Sequence, residues 1–414
     1  MPWSAAWWIE AAWWIETLSS SWGGDGDGDG VPAAMVIPGA MDSPANAAPA
    51  DGRPGRDGGL EACPEGWSPA AVNQGWSYRD RVEPPLAGLS ASVFYAARHR
   101  HSDRACWQAR LAAGEIWRNG QPLLLDAPLA SGDRLVWRRP PWLEGPVPAH
   151  FQVVYDDGDL QVIDKPAGLP VLPAGGWLEH TLLRLLERRH RGAGAAIPRP
   201  VHRLGRYTSG LLVCARQPQT RAWLSASLRE STAAGLAGAA AAAAAAAADG
   251  SGAAAVGEVG GCRKLYRALV VPGALPLVPG ETLLINTAIG RREHPQLGQI
   301  WCAAADSQPG DLAASSSLTL LECSPQADLV QVSIASGRPH QIRIHCAAVG
   351  APLWGDPLYG PGGLAAAAAR PGDGGYQLQA WRLELQPPSG EALVLEAPRA
   401  LGLGWRQGGD GVAG

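Results

Sequence analysis

From residue 150 onward the chain switches between short apolar runs and turn signals. "FQVVYDDGDLQVIDKPAG" carries apolar residues on both sides of Asp157-Gly158, a dipeptide suited to a tight turn, and predicts an antiparallel hairpin. "LEHTLLRLLERRHR" brings Leu182, Leu183, Leu185 and Leu186 to one side of an amphipathic helix. "GLLVCAR", "KLYRALVVPG", "LTLLECSP" and "LVQVSIAS" read as strands, and "YQLQAWRLELQPP" alternates with period two. "PHQIRIHCAAVG" predicts a helix with Ile342, Cys346 and Val349 on one face. On that helix His340 and Arg343 share the opposite face, so Arg343 is expected to reach a cleft. Strand runs with interspersed helices and no regular βα alternation predict an α+β fold: a largely antiparallel, mixed central sheet with flanking helices.

The rest of the chain divides around this region. Residues 1–80 are low in complexity, with the hexapeptide AAWWIE repeated at 5–10 and 11–16 and the run GGDGDGDG, and are expected to be disordered. Residues 84–140 form a second ordered unit. A helical pattern, "SASVFYAARHRHSDRACWQARLAAG", is followed by strand-like "EIWRNGQPLL" with an Asn119-Gly120 turn and by "LASGDRLVWRRPPW". Residues 141–400 form the main domain, interrupted at 232–261 by an Ala/Gly-rich insert with alanine unbroken from 239 to 248, and a tail covers 401–414. The insert reads as disordered chain in a surface loop, which is tolerable because closure entropy grows slowly with length.

Composition adds a few limits. No apolar run approaches the roughly 20 residues that span a bilayer, so no membrane role is expected. The seven cysteines form no C-x-x-C pair and read as free thiols in a reducing, intracellular compartment. The net charge of −4 is misleading as a whole-chain figure. The first 52 residues hold seven acidic side chains and no Lys or Arg, which leaves +3 on the remainder. Residues 184–216 carry eight arginines against Glu187 alone, a local concentration that suits phosphates. Lysine occurs only at Lys165 and Lys264, in a chain that otherwise uses arginine.

Four ordered segments carry a resemblance: "DKPAGLPVLP" (164–173), "HRLGRYTSGLLVCA" (202–215), "KLYRALVVPG" (264–273) and "SGRPHQIRIHCAAVGAPLWGDPLYG" (336–360). Together they resemble the RluA-type RNA pseudouridine synthases, including the plant and algal branch. The 84–140 unit resembles the S4 RNA-binding module, and Arg98, Arg100, Arg104 and Arg110 fit its phosphate-contacting role. The resemblance implies a pseudouridine-synthase-like sheet, a uridine flipped into a basic cleft of structured RNA (tRNA or rRNA), a monomer, and no cofactor or metal. In that reaction the N1–C1′ bond breaks, the uracil turns, and it rejoins through C5. Everting the base costs a few kcal/mol, which arginines on phosphates offset.

Carried over residue by residue, the resemblance gives Tyr266 the ring that packs on the uracil and Arg343 the cation that pairs with the catalytic carboxylate. Arg203, Arg206, Lys165, Lys264 and His340 line the RNA-binding cleft. The position of the carboxylate itself is Gly205, which offers neither charge nor proton acceptor. Three outcomes are open: another carboxylate moves in, with Asp164, Asp159, Glu179 and Asp356 as candidates; the protein is an RNA-binding pseudoenzyme and the RNA supplies a phosphate to Arg343; or the position is an accident of divergence. Other chemistries are absent from the sequence. There is no G-x-S-x-G elbow, no Walker loop and no G-x-G-x-x-G after a strand. His340 and His345 lie too far around a helix to share a metal.

Overall fold

A computed structural model describes residues 61–62, 72–100, 102–192, 194–228, 262–306, 308–334, 337–387 and 390–403. Most of the 1–80 segment, the 232–261 insert and most of the 401–414 tail lie outside the described residues. The first described strand, β1 (Glu61–Ala62), pairs with the edge of the main sheet at His150 and Phe151.

Between residues 72 and 143 the chain builds a small sheet of its own. Its strands are β2 (Trp76–Arg81), β3 (Ile116–Arg118), β4 (Gln121–Pro122) and β5 (Arg134–Arg139), antiparallel throughout in the order β2-β5-β3-β4. The helical stretch read from the sequence is two helices, α1 (Ala91–Arg98) and α2 (Arg104–Ala112). The break has a local cause. The Asp103 carboxylate accepts the Cys106 backbone N–H at 2.8 Å and caps a new helix start. Phe94, Tyr95, Trp107, Leu111, Ile116, Leu135 and Trp137 form the core of this unit, with the Tyr95 and Trp107 rings stacked at 4.6 Å. Buried Glu144 ties it to the main domain: it accepts Asn73 Nδ2 and the backbone N–H groups of Leu178 and His180 at 2.8–2.9 Å.

The main sheet begins with the expected hairpin of β6 (His150–Asp156) and β7 (Leu160–Lys165), turned at Gly158. It continues through β8 (Arg199–Pro200), β9 (Thr208–Ala215), β10 (Cys262–Val270) and β11 (Thr282–Ile285). A separate hairpin, β12 (Ile289–His294) with β13 (Gly298–Ala303), interrupts the order. The sheet is completed by β14 (Ser316–Glu322), β15 (Asp328–Ile334), β16 (Leu378–Leu385) and β17 (Leu393–Glu396). The spatial order is β1-β6-β7-β9-β16-β10-β15-β14-β11, with β17 on β16 and β8 on β9. This is the expected mixed α+β architecture.

Among the described residues only one pair in this sheet, β9 with β16, is parallel, with Thr208 beside Leu378. Strands that run the same way start at the same edge. The segments leading into them, 203–207 and 374–377, are therefore held side by side. Gly210 makes the approach possible: its φ is 97°, and a Cβ there would run into the carbonyl oxygen of Ala380.

Helix α3 (Leu182–Arg189) buries Leu182, Leu185 and Leu186 against the sheet, as its pattern predicts. A further helix, α4, covers 218–228. Helix α5 (Gln341–Ala348) departs from the prediction. Every residue from Gln341 to Ala347 is buried, because the helix lies between two cores. Ile342 and Cys346 enter the main core, whereas Ile344 and Ala347 pack with Ile289, Ile300, Leu358 and Tyr359. His340 lies outside the helix, at its N-cap, with φ 54°. The helix face that His340 and Arg343 were expected to share, opposite Ile342 and Cys346, therefore does not form, and Arg343 is buried.

His345, inside α5, is fully buried and hydrogen-bonded on both ring nitrogens: Nδ1 pairs with Ser316 Oγ at 2.8 Å and Nε2 donates to the Thr287 carbonyl at 2.9 Å. Burial lowers its pKa to about 4. An unfolded histidine takes up its proton nearer pH 6.5, so the unfolded state gains protons first as pH falls. Stability from this group is complete above about pH 6.5 and is lost toward pH 4, by on the order of 2–3 kcal/mol. Urea unfolding of wild type across pH 4–7 measures the slope, and His345→Gln flattens it.

Candidate active site

The loop after β7 and the loop before β9 are clamped together by Lys165. Its ammonium is fully buried and donates to the carbonyls of Pro166, Leu169 and Arg206 at 2.8, 2.9 and 3.0 Å. Burial pushes its pKa down to about 7, but all three protons are engaged, and neutral lysine could serve only two of these acceptors. The expectation that Lys165 contacts RNA is thus corrected, because a cation with no exposure cannot reach a phosphate. Arg206 completes the clamp. It donates to the Gly168 carbonyl at 2.9 Å, and its guanidinium stacks on Trp177 at 4.0 Å and lies 5.0 Å from the Tyr207 ring.

Behind this loop lies a buried ion pair. Arg343 Nε and Nη2 each donate to Asp356 at 2.7 Å, with side-chain exposures of 4% and 0%. Burial alone would lower the arginine pKa, but the Asp356 hydrogen bonds turn the net shift upward. Of the carboxylates considered for Arg343, Asp356 is the one it meets. Asp159 is held by the backbone of Gln217, and Glu179 lies 3.8 Å from Arg184. Asp164 sits on β7, where burial raises its pKa to about 6. The Arg343 guanidinium also stacks on the rings of Tyr376 at 4.3 Å and Tyr359 at 5.0 Å. The Tyr359 hydroxyl donates to the Trp301 carbonyl, so it accepts from Nδ1–H of His340 at 2.7 Å. That leaves a lone pair on His340 Nε2. Burial, then Arg343 and Arg203, keep this ring neutral.

Tyr266, on β10, is 7% exposed and packs in one cluster with Leu204, Ile342, Tyr376 and Ala380. The neighbours of Gly205 and Arg343 thus share a core with Tyr266. Its hydroxyl has no hydrogen-bond partner among the described residues, and burial raises its pKa. Lys264 is half-buried, with a pKa lowered by burial, and its charge helps keep His202 neutral. His202 is a structural staple whose Nε2 accepts the Val213 N–H at 3.1 Å. Arg203 is exposed, and the protein around its head group lowers its pKa by desolvation.

The arginine-rich segment holds less free charge than its composition promises. Arg184 and Arg199 share Glu187, and Arg216 is bidentate to Asp156. In the small unit Arg110 is wedged between Trp107 and Trp137, at 4.2 and 4.6 Å, which spends its cation on aromatic faces. Arg104 stays 59% exposed beside Asp126. Sequence reasoning missed Tyr376, Tyr359 and Trp177. Tyr376 opens a run read only as a strand, and nothing in that alternation marks it as part of a site.

A family model described as RNA pseudouridylate synthase matches residues 159–234, which include the Gly205 loop. An uncharacterized RNA pseudouridine synthase of Synechocystis is 38% identical over 308 residues, 74% of this chain and 92% of that protein. RNA pseudouridine synthase 5 of Arabidopsis thaliana is 34% identical over 352 residues, 76% of this chain and 89% of that protein. Ribosomal large subunit pseudouridine synthase D of Nitrosomonas europaea is 31% identical over 256 residues, 60% of this chain and 62% of that protein. With relatives matched along nearly their whole length, the chain belongs to the RluA-type RNA pseudouridine synthases.

Two substitutions test the architecture of the site. Asp356→Ala leaves a guanidinium buried and unpaired and is expected to cost about 3–5 kcal/mol, read as a shifted denaturation midpoint. Lys165→Met keeps the stem but strands three carbonyls. It is expected to lower stability by about 2 kcal/mol or more and to speed proteolysis within 166–169 and 203–207.

Proposed function

We propose that this protein converts uridine to pseudouridine in structured RNA, ribosomal or transfer, and that it works as a monomer at a site lacking a carboxylate on residue 205. The observation that carries this reading is the convergence of Leu204-Gly205, Tyr266, Tyr376 and the Arg343–Asp356 pair on one patch of core at the edge where β9 and β16 begin. The Tyr266 ring offers a flat, apolar face on which a flipped uracil can lie and turn. Arg203 and Lys264 supply cations near the reactive loop with no hydrogen bond or ion pair among the described residues, free to meet phosphate. The 72–143 unit acts as the S4-like appendage, with Arg104 and Arg100 toward the RNA backbone. Asp356 keeps the Arg343 charge compensated, so the missing carboxylate does not leave a bare buried cation.

The test is tritium release from RNA labelled at C5 of uridine, since C5 loses its hydrogen on isomerisation. Wild type is expected to release tritium, and Arg343→Lys, which loses the bidentate fork, to release it at least about 100-fold more slowly. Arg203→Ala is expected to weaken RNA affinity and reduce the slope of log K against log salt by about one. RNA binding with no release from any uridine makes the protein a pseudoenzyme and ends the proposal.

A further inference from the structure

Asp356 neutralises Arg343, and its two oxygens are taken up by the Arg343 guanidinium and the Leu358 N–H, so it has none to offer a sugar. A carboxylate in this family would act from residue 205, and the space there is already taken. A Cβ on residue 205 would stand 2.7 Å from Tyr376 Oη and 3.2 Å from Thr208 Oγ1. Gly205 does not have a positive φ, so the backbone itself would admit a side chain. What excludes one is the phenol. Tyr376 is 2% exposed and its hydroxyl shares a 3.4 Å hydrogen bond with Thr208 Oγ1. The Arg343 guanidinium covers its ring at 4.3 Å, and Tyr207 packs edge-on at 6.1 Å. Gly205 is exposed, so the hydroxyl lies directly behind an exposed stretch of backbone that carries no side chain.

We propose that the phenolic oxygen of Tyr376 does at C1′ what a carboxylate on residue 205 would do, and that Gly205 is the residue that leaves room for it. This rests on the reading of the protein as a uridine isomerase. The phenol gives its proton to water, and its oxygen attacks C1′ as the C1′–N1 bond breaks and the electron pair goes to N1. The uracil turns, C5 attacks C1′, and the C1′–O bond breaks with its pair returning to the tyrosine. C5 then loses its proton, N1 gains one, and the phenol is reprotonated, so product and reactant are isomers. Tyrosine oxygen serves as the nucleophile at a sugar carbon in sialidases. The Arg343 guanidinium lies over the ring, 4.3 Å from its centroid, and Asp356 fixes that guanidinium in place.

The experiment compares turnover and RNA affinity in wild type, Tyr376→Phe, Gly205→Asp and the double variant. Tyr376→Phe removes one oxygen and keeps the ring. It is expected to lose at least about 100-fold in turnover with RNA affinity unchanged. Gly205→Asp alone is expected to be impaired, because its Cβ meets the phenol, whereas the double variant turns over faster than either single one. Gly205→Ala is expected to slow wild type and to be silent in the Tyr376→Phe background, a coupling that does not depend on the phenylalanine variant being fully stable. Wild-type turnover by Tyr376→Phe overturns this proposal and leaves the isomerase reading intact. An inert wild type whose double variant is active overturns it too, since the phenol would then only block the site. An inert wild type that binds RNA and gains nothing in any variant overturns the isomerase reading itself.

Discussion

The parallel pairing of β9 with β16 is the constraint from which the site follows. A sheet of antiparallel neighbours sends consecutive strand entries to opposite edges. One parallel pair brings two entries together, and here they carry Gly205 and Tyr376. Gly210 is what the pairing demands in return, since any side chain at that point would collide with the Ala380 carbonyl. The antiparallel strand on the far side of β16 then sets Tyr266 opposite Ala380, within the same cluster. Three segments far apart in sequence thus meet through backbone hydrogen bonding before any side-chain chemistry is considered.

Charge is used in this region mainly to hold geometry. Lys165 spends its ammonium on three carbonyls, Arg206 on a carbonyl and two aromatic faces, and Arg343 on Asp356 and two tyrosine rings. Each would be costly to bury alone, and each is compensated by partners in fixed positions. The result is a rigid reactive loop whose backbone is tied on one side to residues 166–169 and backed on the other by Tyr376. Preorganisation of this kind suits a reaction with two bond changes at one carbon, because the groups around that carbon must hold their places through both.

Much of this was legible in the chain. The β6–β7 hairpin, helix α3 and the strand character of β9, β10, β14, β15 and β16 follow from local periodicity and turn residues, and the four ordered motifs identify the family. The division of 91–112 into two helices was not, because Asp103 reads as one polar residue among several until its carboxylate is seen on the Cys106 N–H. Helix α5 was misjudged for a related reason: a helix wedged between two cores needs no polar face, so the spacing of Ile342 and Cys346 describes only half of its burial.

Arg343 and Asp356 stand thirteen residues apart, and the motif names both, but only packing decides that they pair and are sealed from water. The sequence by itself determined the residue types that meet at the site and the absence of a carboxylate at 205, because these are properties of a string. Tertiary structure alone decided that Lys165 is a clamp, that Arg110 is caught between tryptophans, and that the place left by Gly205 is filled by Tyr376. Strand neighbours and burial are set by contacts between distant segments, and no local period encodes them.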